Sequence, residues 1–443
     1  MRPARRAASP PPEPRPPCRV AKGGHARYLR DMERIDVDIL VAGGGAAGLS
    51  AACLFAAEGL SVLCVDAAPP PEGPDAPGAD IRTAALLTPS VEALERCGAW
   101  PLMAPRAAPL RVMRLVDAGG RAEAPRETAD FESAEMQDAP FGWNLPNLTI
   151  RAALAERLSA LPGAALRAPA ALSRLVLREG EALAALSDGA QVRARLVVAA
   201  DGRDSPTRRM AGLEAPRWSY SQKALVLAAA HPERHRDVST EIHRSGGPFT
   251  LVPLPDDAQG RARSSIVWME EGPRAAALHR MASEDPDGFA QALNARSCGV
   301  LGWLRPVSAV ALWPIVAQLA PRLDGARVAL MGEAAHVVPP IGAQGLNMSI
   351  ADGAALARLA GEAVRAGRDP GAAPVLAAYH RARWPEMAAR VAGIDALNRA
   401  AMLGAPPLRD LRRMGLKAIH ELAPVRRGVM RLGMGARPGG PSD

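Results

Sequence analysis

The chain has 443 residues and a formal net charge of +8, enough length to bury most of its apolar surface without disulfide staples. Its five cysteines (Cys18, Cys53, Cys64, Cys97 and Cys298) form no CxxC pair; this fits reduced thiols in a cytoplasmic protein, and no metal site is expected. With three Tyr, five Phe and no aromatic-plus-basic recognition motif, nucleic acid is not an expected partner, and no apolar run reaches the roughly 18 residues of a spanning helix.

Residues 1–35 are dense in Pro and Arg and lack an apolar period, and they read as a disordered leader or an over-long start, with Met32 just before the first strand. Ordered structure begins with "DVDILVAGGGAAGLSAACLFAAEGLSVLCVD". Residues 37–42 bury like a strand, 49–58 carry helix formers and 60–65 make a second apolar strand, a βαβ unit of about thirty residues. Between strand and helix, Gly43, Gly45 and Gly48 have GxGxxG spacing. The first allows the tight turn, the second lets a pyrophosphate approach the backbone, and the third lets helix pack on strand, so that phosphate meets the positive helix end. Asp66 closes the second strand 23 residues after Gly43, placed to accept from a ribose diol. This fingerprint fits a flavin or a nicotinamide dinucleotide equally.

Two later stretches bear on the choice. In "ARLVVAADGRDSPTRR" an apolar strand runs into Asp201, Gly202, Ser205 and Arg208; in "RVALMGEAAHVVPPIGAQGLN" another strand precedes a Pro- and Gly-rich turn and a helix from about Gln344. GxGxxG, then DGxxSxxR, then a GDAAHxxxPxxxQGxN-like segment, in this order, resemble the single-component FAD-dependent aromatic hydroxylases, and within them the ubiquinone-biosynthesis polyprenylphenol hydroxylases. The resemblance covers about residues 35–435 and has further support in "RTAALLTPSVEALERCGAW", "NLTIRAAL", "GPFTLVPLP" and "YHRARWPEM".

The resemblance implies an α/β fold: a Rossmann-like FAD-binding domain in three segments (36–110, 141–215 and 316–370), a mostly antiparallel β-sheet substrate domain (111–140 and 216–315) and a helical C-terminal extension (371–443). It implies non-covalent FAD, NADH or NADPH as a transient reductant, and O2, which adds to the reduced flavin to give a hydroperoxide whose distal oxygen a polyprenylated phenol attacks. The flavin carries this chemistry, so no catalytic side chain is assigned; His336 invites an acid or base role but reads better as a packed part of the turn. The cofactor residues implied are Gly43, Gly45, Gly48, Asp66, Arg82, Arg151, Asp201, Gly202, Glu333, Pro340, Gly342, Gln344, Gly345, Leu346 and Asn347, with Gln344 and Asn347 lining the flavin edge. Glu333 stands where the family most often has Asp, and Asp66 where many relatives have Glu. Arg208 reads as a flavin-turn residue or a salt-bridge partner.

In the middle of the chain, 223–230, 239–254 and 262–270 read as strands of a sheet roofing the substrate cavity. Leu225, Leu227, Leu251, Pro253 and Trp268 face substrate or, by the preferred reading, form plain sheet core. Residues 409–437 carry eight Lys or Arg against Asp410 and Glu421, a net of +6, with apolar Leu411, Met414, Leu416 and Ile419 at helical spacing. Such a surface suits anionic lipid headgroups or a partner complex, consistent with a peripheral position at the inner face of a membrane. Three alternatives stand beside this reading: a hydroxylase of a small soluble aromatic acid, a flavin halogenase or prenyl reductase (disfavoured because Lys22, Lys223 and Lys417 all lie outside the flavin motifs), and a non-catalytic assembly protein, which the Glu333 departure keeps open.

Overall fold

The computed structural model describes residues 33–71, 73, 80–118, 127–244, 246–402, 426–428 and 430. An eight-stranded sheet forms the base, with strands numbered in chain order. Its spine runs β18 (Asp324–Gly325), β19 (Val328–Leu330), β11 (Gln191–Ala199), β1 (Arg34–Ala42), β2 (Val62–Val65) and β8 (Ala164–Arg167), and β10 (Ala182–Leu186) and β9 (Leu172–Leu177) extend it from β11. The strands from β19 to β8 are parallel. β1 shows why: its last four residues are all buried, as expected where helices cover both faces of a parallel sheet. α1 (Ala46–Ala57) lies within that cover.

A nine-stranded sheet stands beside it, ordered β20 (His336–Val337), β17 (Ala311–Leu319), β12 (Arg217–Ala230), β15 (Arg263–Glu271), β14 (Pro248–Leu254), β13 (Val238–His243), β5 (Val112–Asp117) and β6 (Glu127–Glu132), with β16 (Arg305–Pro306) on β12. All its pairings are antiparallel except β13 with β5. A three-stranded sheet of β3 (Thr83–Leu87), β7 (Gly142–Pro146) and β4 (Ala108–Leu110) closes the space between the two. The other helices are α2 (Thr88–Arg96), α3 (Trp100–Met103), α4 (Asn147–Ser159), α5 (Pro206–Met210), α6 (Gly272–Glu284), α7 (Pro286–Ser297), α8 (Gln344–Arg365) and α9 (Ala373–Met402). Among the described residues no helix is long and apolar enough to cross a membrane.

Several expectations change in detail. The leader assigned to 1–35 ends earlier, because Arg34 and Ile35 already pair with Gln191 and Val192 in the sheet; residues 1–32 lie outside the described residues. α1 starts at Ala46 rather than 49, since the turn glycines hand directly into the helix. β17 runs on to Leu319 and β20 joins the nine-stranded sheet, so that sheet reaches past the boundary drawn at 315. Leu225, Leu227, Leu251 and Trp268 pack with Phe289 and Leu293 of α7 and are sheet core. Pro253 shares their side of the strand by alternation, and the opposite face, with Val226, Thr250, Val252 and Val267, lines a cavity. The basic 409–437 segment lies outside the described residues except 426–428 and 430. There Arg426 pairs with Glu135 at 2.7 Å, which ties it to protein.

Candidate active site

A cavity of about 1030 Å³ lies between the nine-stranded sheet, the three-stranded sheet and the N-terminal ends of α1 and α8. At one end Gly43, with φ +110°, makes the turn out of β1 and donates its N–H to the Val65 carbonyl at 2.8 Å. Gly45, in extended conformation, caps α1 without any side-chain hydrogen bond. The first helical N–H groups therefore keep their donors free for an anion. A Cβ on Gly45 would have nothing within 4 Å, while one on Gly48 would run into the Gly43 carbonyl, so one glycine fronts open space and the other seals helix against turn. Asp66 follows β2; its Oδ2 accepts the Gly44 N–H at 2.6 Å and its Oδ1 the Ala68 N–H at 2.9 Å. Arg151, on α4, donates to the Gly44 carbonyl at 2.7 Å and stands 3.6 Å from Asp66.

At the other end of the cavity the stretch 332–347 turns through a short 3₁₀ segment, β20 and two successive left-handed residues, Gly342 (φ +62°) and Ala343 (φ +54°), into α8. α8, too, has no side-chain cap, and Pro340, Gly342, Gln344, Gly345 and Leu346 line the cavity. Two positive helix ends thus open on one space. Both fit a dinucleotide: the α1 turn for a pyrophosphate, the α8 turn for a flat ring carrying negative charge. Gln344 spans this turn, donating to the Gly342 carbonyl at 2.9 Å and accepting from Arg390 at 2.6 Å.

Other singled-out residues are less simply placed. Asn347 does not line the cavity: its Oδ1 accepts the Leu87 N–H at 2.9 Å and its Nδ2 donates to the Ala85 and Ala343 carbonyls at 2.7 and 2.6 Å, tying α8 to β3. The Asp201 carboxylate turns inward to the Ser205 hydroxyl and the Thr207 N–H (2.9 Å for the latter), so it organises the start of α5, while its neighbour Gly202 lines the cavity. Among the described residues Arg208 makes no ion pair; it is buried and donates to the Ala334 and Arg203 carbonyls at 2.7 and 3.1 Å, joining the second turn to the third. Glu333 reaches into the cavity near Arg203, at 3.5 Å. Arg82 forms a two-pronged pair with Asp80, at 2.8 and 2.7 Å, and lies over the Trp313 ring. Burial would raise the Asp80 carboxyl, but Arg82 holds it below the ordinary value.

His336 is buried and donates from Nε2 to Asp352 Oδ2 at 2.8 Å. Arg383, from α9, donates to the other oxygen at 2.9 Å. Burial alone would raise the Asp352 carboxyl, yet its partners His336 and Arg383 hold it below the ordinary value. The trio pins the 332–347 turn to α8 and α9.

The FAD binding domain model matches residues 36–392. The chain belongs to this family. It is 36% identical to the ubiquinone hydroxylase UbiL of Rhodospirillum rubrum, over 91% of each chain. It is 28% identical to the 3-demethoxyubiquinol 3-hydroxylase of Escherichia coli, covering 91% of this chain and all of that one. In fold it is similar to p-nitrophenol 4-monooxygenase PnpA from Pseudomonas putida, with TM-score 0.73 and 20% identity, over 92% of this chain and 100% of the other. The family is one of FAD-dependent aromatic-ring monooxygenases reduced by NAD(P)H, and this member is an enzyme of that kind.

Several residues in or around the cavity had no signal in the sequence. Asp80, Trp313 and Arg203 meet at the cavity only through tertiary contacts, and Asp352 and Arg383 sit on helices where an isolated charge reads as a solvated face. Glu241 and His243 were hidden in an alternating strand; their shared side, two residues apart, was the available clue.

Proposed function

We propose that this chain hydroxylates the aromatic ring of a polyprenylated phenol in ubiquinone synthesis, using NAD(P)H and O2. The observation that carries the reading is the cavity of about 1030 Å³, with two uncapped helix ends at the cofactor side and an apolar sheet wall opposite. When bound, FAD supplies the oxygen activation. The chain's own residues hold and shield it. The α1 N–H groups and Gly45 take the pyrophosphate, Asp66 the ribose, and Arg151 braces that turn. Pro340, Gly342 and the start of α8 lie against the ring and stabilise negative charge there, while Glu333 faces the ribitol side. Val226, Val252, Val267, Leu115 and Met113 keep water out and orient an apolar substrate. Leu397, 60% exposed on α9, and its cavity-lining neighbour Ala400 offer a greasy lip along which a prenyl tail can leave. The basic 409–437 segment is proposed to bring the enzyme to anionic membrane, where such substrates partition. In the test, purified protein is assayed for phenol-dependent NAD(P)H oxidation with a hydroxylated product, and quinone precursors are profiled in a deletion strain. A colourless protein, or a strain accumulating no prenylphenol, would refute the reading.

A further inference from the structure

The 332–347 turn is gripped at both of its ends by one chain of side chains that runs through α8 and α9. At the start of the turn, Asp352 of α8 accepts from His336 Nε2 at 2.8 Å and from the Gly332 N–H at 3.3 Å. Arg383 of α9 donates from Nε to the other Asp352 oxygen at 2.9 Å and from Nη1 to Glu386 Oε2 at 2.6 Å. Glu386 Oε1 accepts from Arg390 Nε at 3.0 Å, and Arg390 Nη1 donates to Gln344 Oε1 at 2.6 Å. Gln344, the first residue of α8, lines the cavity and donates from Nε2 to the Gly342 carbonyl at 2.9 Å, which returns the chain to the far end of the same turn. Helical spacing makes this possible, because Arg383, Glu386 and Arg390 share one face of α9.

An arginine can only donate, so the Gln344 oxygen is the atom that faces Arg390 and the amide nitrogen the atom that faces the turn. The amide dipole therefore points its positive end toward Gly342 and the uncapped start of α8, where the helix end is positive too. Arg390 holds the amide in that orientation. In formal charge, Arg383 and Arg390 balance Asp352 and Glu386. Removing Arg390 leaves an excess of negative charge behind the start of α8, and removing Glu386 leaves an excess of positive charge. The Arg390 side chain is 19% exposed and that of Glu386 38%, so water screens the pair only in part.

We infer that Arg390 and Glu386 of α9 set the reduction potential of the flavin from behind the cavity wall, Arg390 as a positioning residue that acts through Gln344. Neither is among the described residues that line the cavity. Reduction adds negative charge to the ring, so a positive potential at the start of α8 favours the reduced form and a negative one opposes it. The inference rests on the proposed function, which lays the ring against the start of α8, and deepens it by naming the groups that tune the cofactor there.

The experiment reduces FAD-loaded protein anaerobically beside a reference dye and reads both absorbances at equilibrium. Arg390→Met, which keeps the stem and removes the charge, is expected to make the flavin about tenfold harder to reduce, about 30 mV more negative for a two-electron couple. Glu386→Gln is expected to shift the potential about as far in the opposite direction. Arg390→Lys, which keeps the charge, should recover most of the loss seen in Arg390→Met, and added salt should shrink both shifts. Opposite signs are the signature of charge, because a turn merely loosened by a lost contact would move both variants the same way. Flavin content and far-UV circular dichroism check folding; where Arg390→Met does not hold flavin, the sign of the Glu386→Gln shift decides. Shifts of the same sign, or a folded variant of either kind within about twofold of wild type, overturn the assignment. Phenol-dependent NAD(P)H oxidation is measured on the same wild-type preparation: its absence overturns the proposed function, while the paired shifts still decide the role of α9.

Discussion

Gly45 and Asp352 show how one side chain, or its lack, fixes a site. Around Gly45 a Cβ meets no protein atom, so Gly45→Val is expected to fold but to fill the space a pyrophosphate needs. Purified variant protein should lose most of its flavin absorbance in the visible, while far-UV circular dichroism stays unchanged. Asp352 is fully buried between His336 and Arg383. Replacing it with Asn leaves Arg383 short of a partner in the interior and should cost about 3 kcal/mol. Because the folded Asp352 carboxyl lies below its unfolded value, its contribution is present above about pH 4 and is lost as pH falls through the folded value. The gap in melting temperature between wild type and Asp352→Asn should therefore be widest near neutrality and close under acid; a gap that stays constant with pH would contradict the ion-pair account.

At the scale of elements, α8 is the piece that joins cofactor turn to core. Its apolar side packs into the main cluster through Ile350, Leu356 and Ala360, and Asn347 bridges its first turn to β3 through Leu87 and Ala85. Asn347→Ala leaves a buried N–H and carbonyls without partners, a loss of about 1–3 kcal/mol. Thermal unfolding should shift down by several degrees, and flavin should dissociate faster from the variant because the helix end would no longer be held against the cavity. Flavin retention equal to wild type would mean that the turn is held by the His336–Asp352–Arg383 trio alone. The same helix shows what a lone sequence hides: an Asn after a Gly-rich turn reads as a ligand to whatever the turn holds, and only the fold reveals that both ends of its amide are already spent.

For the whole molecule, the open issue is how a chain without a spanning helix among its described residues collects a lipid-like substrate. Arg426 is committed to Glu135, so the charges relevant to a surface are the others of the 409–437 segment. Reversing Arg412, Arg413 and Arg427 to Glu removes three basic groups, each worth about 1 kcal/mol at an anionic surface. Binding to vesicles containing phosphatidylserine should fall about a hundredfold or more in co-sedimentation, and salt should weaken the wild type in the same direction. Turnover of a short-chain soluble phenol should be unaffected, because the three lie outside every flavin motif of the sequence. Wild-type protein that ignores anionic vesicles would rule out the lipid role.

The sequence by itself determined the βαβ unit, the glycine turn, the Asp66 position and the order of the three cofactor segments, because those features depend on local backbone conformation and on spacing along the chain. It also announced the sheet strands, through alternation. It did not decide which side of that alternation faced the cavity: Leu225, Leu227, Leu251 and Trp268 turned to the helices α6 and α7, and Val226, Thr250, Val252 and Val267 to the cavity. Both faces carry apolar residues, and period 2 is blind to which one meets a neighbour. Likewise Asn347, Asp201 and Arg208 had to be met in three dimensions, since a polar side chain's role depends on which buried partner reaches it first. The contact of Asn144 with Pro253 belongs to tertiary structure alone: Asn144 stands on a different sheet, about a hundred residues earlier in the chain, and no local rule of spacing joins groups so far apart.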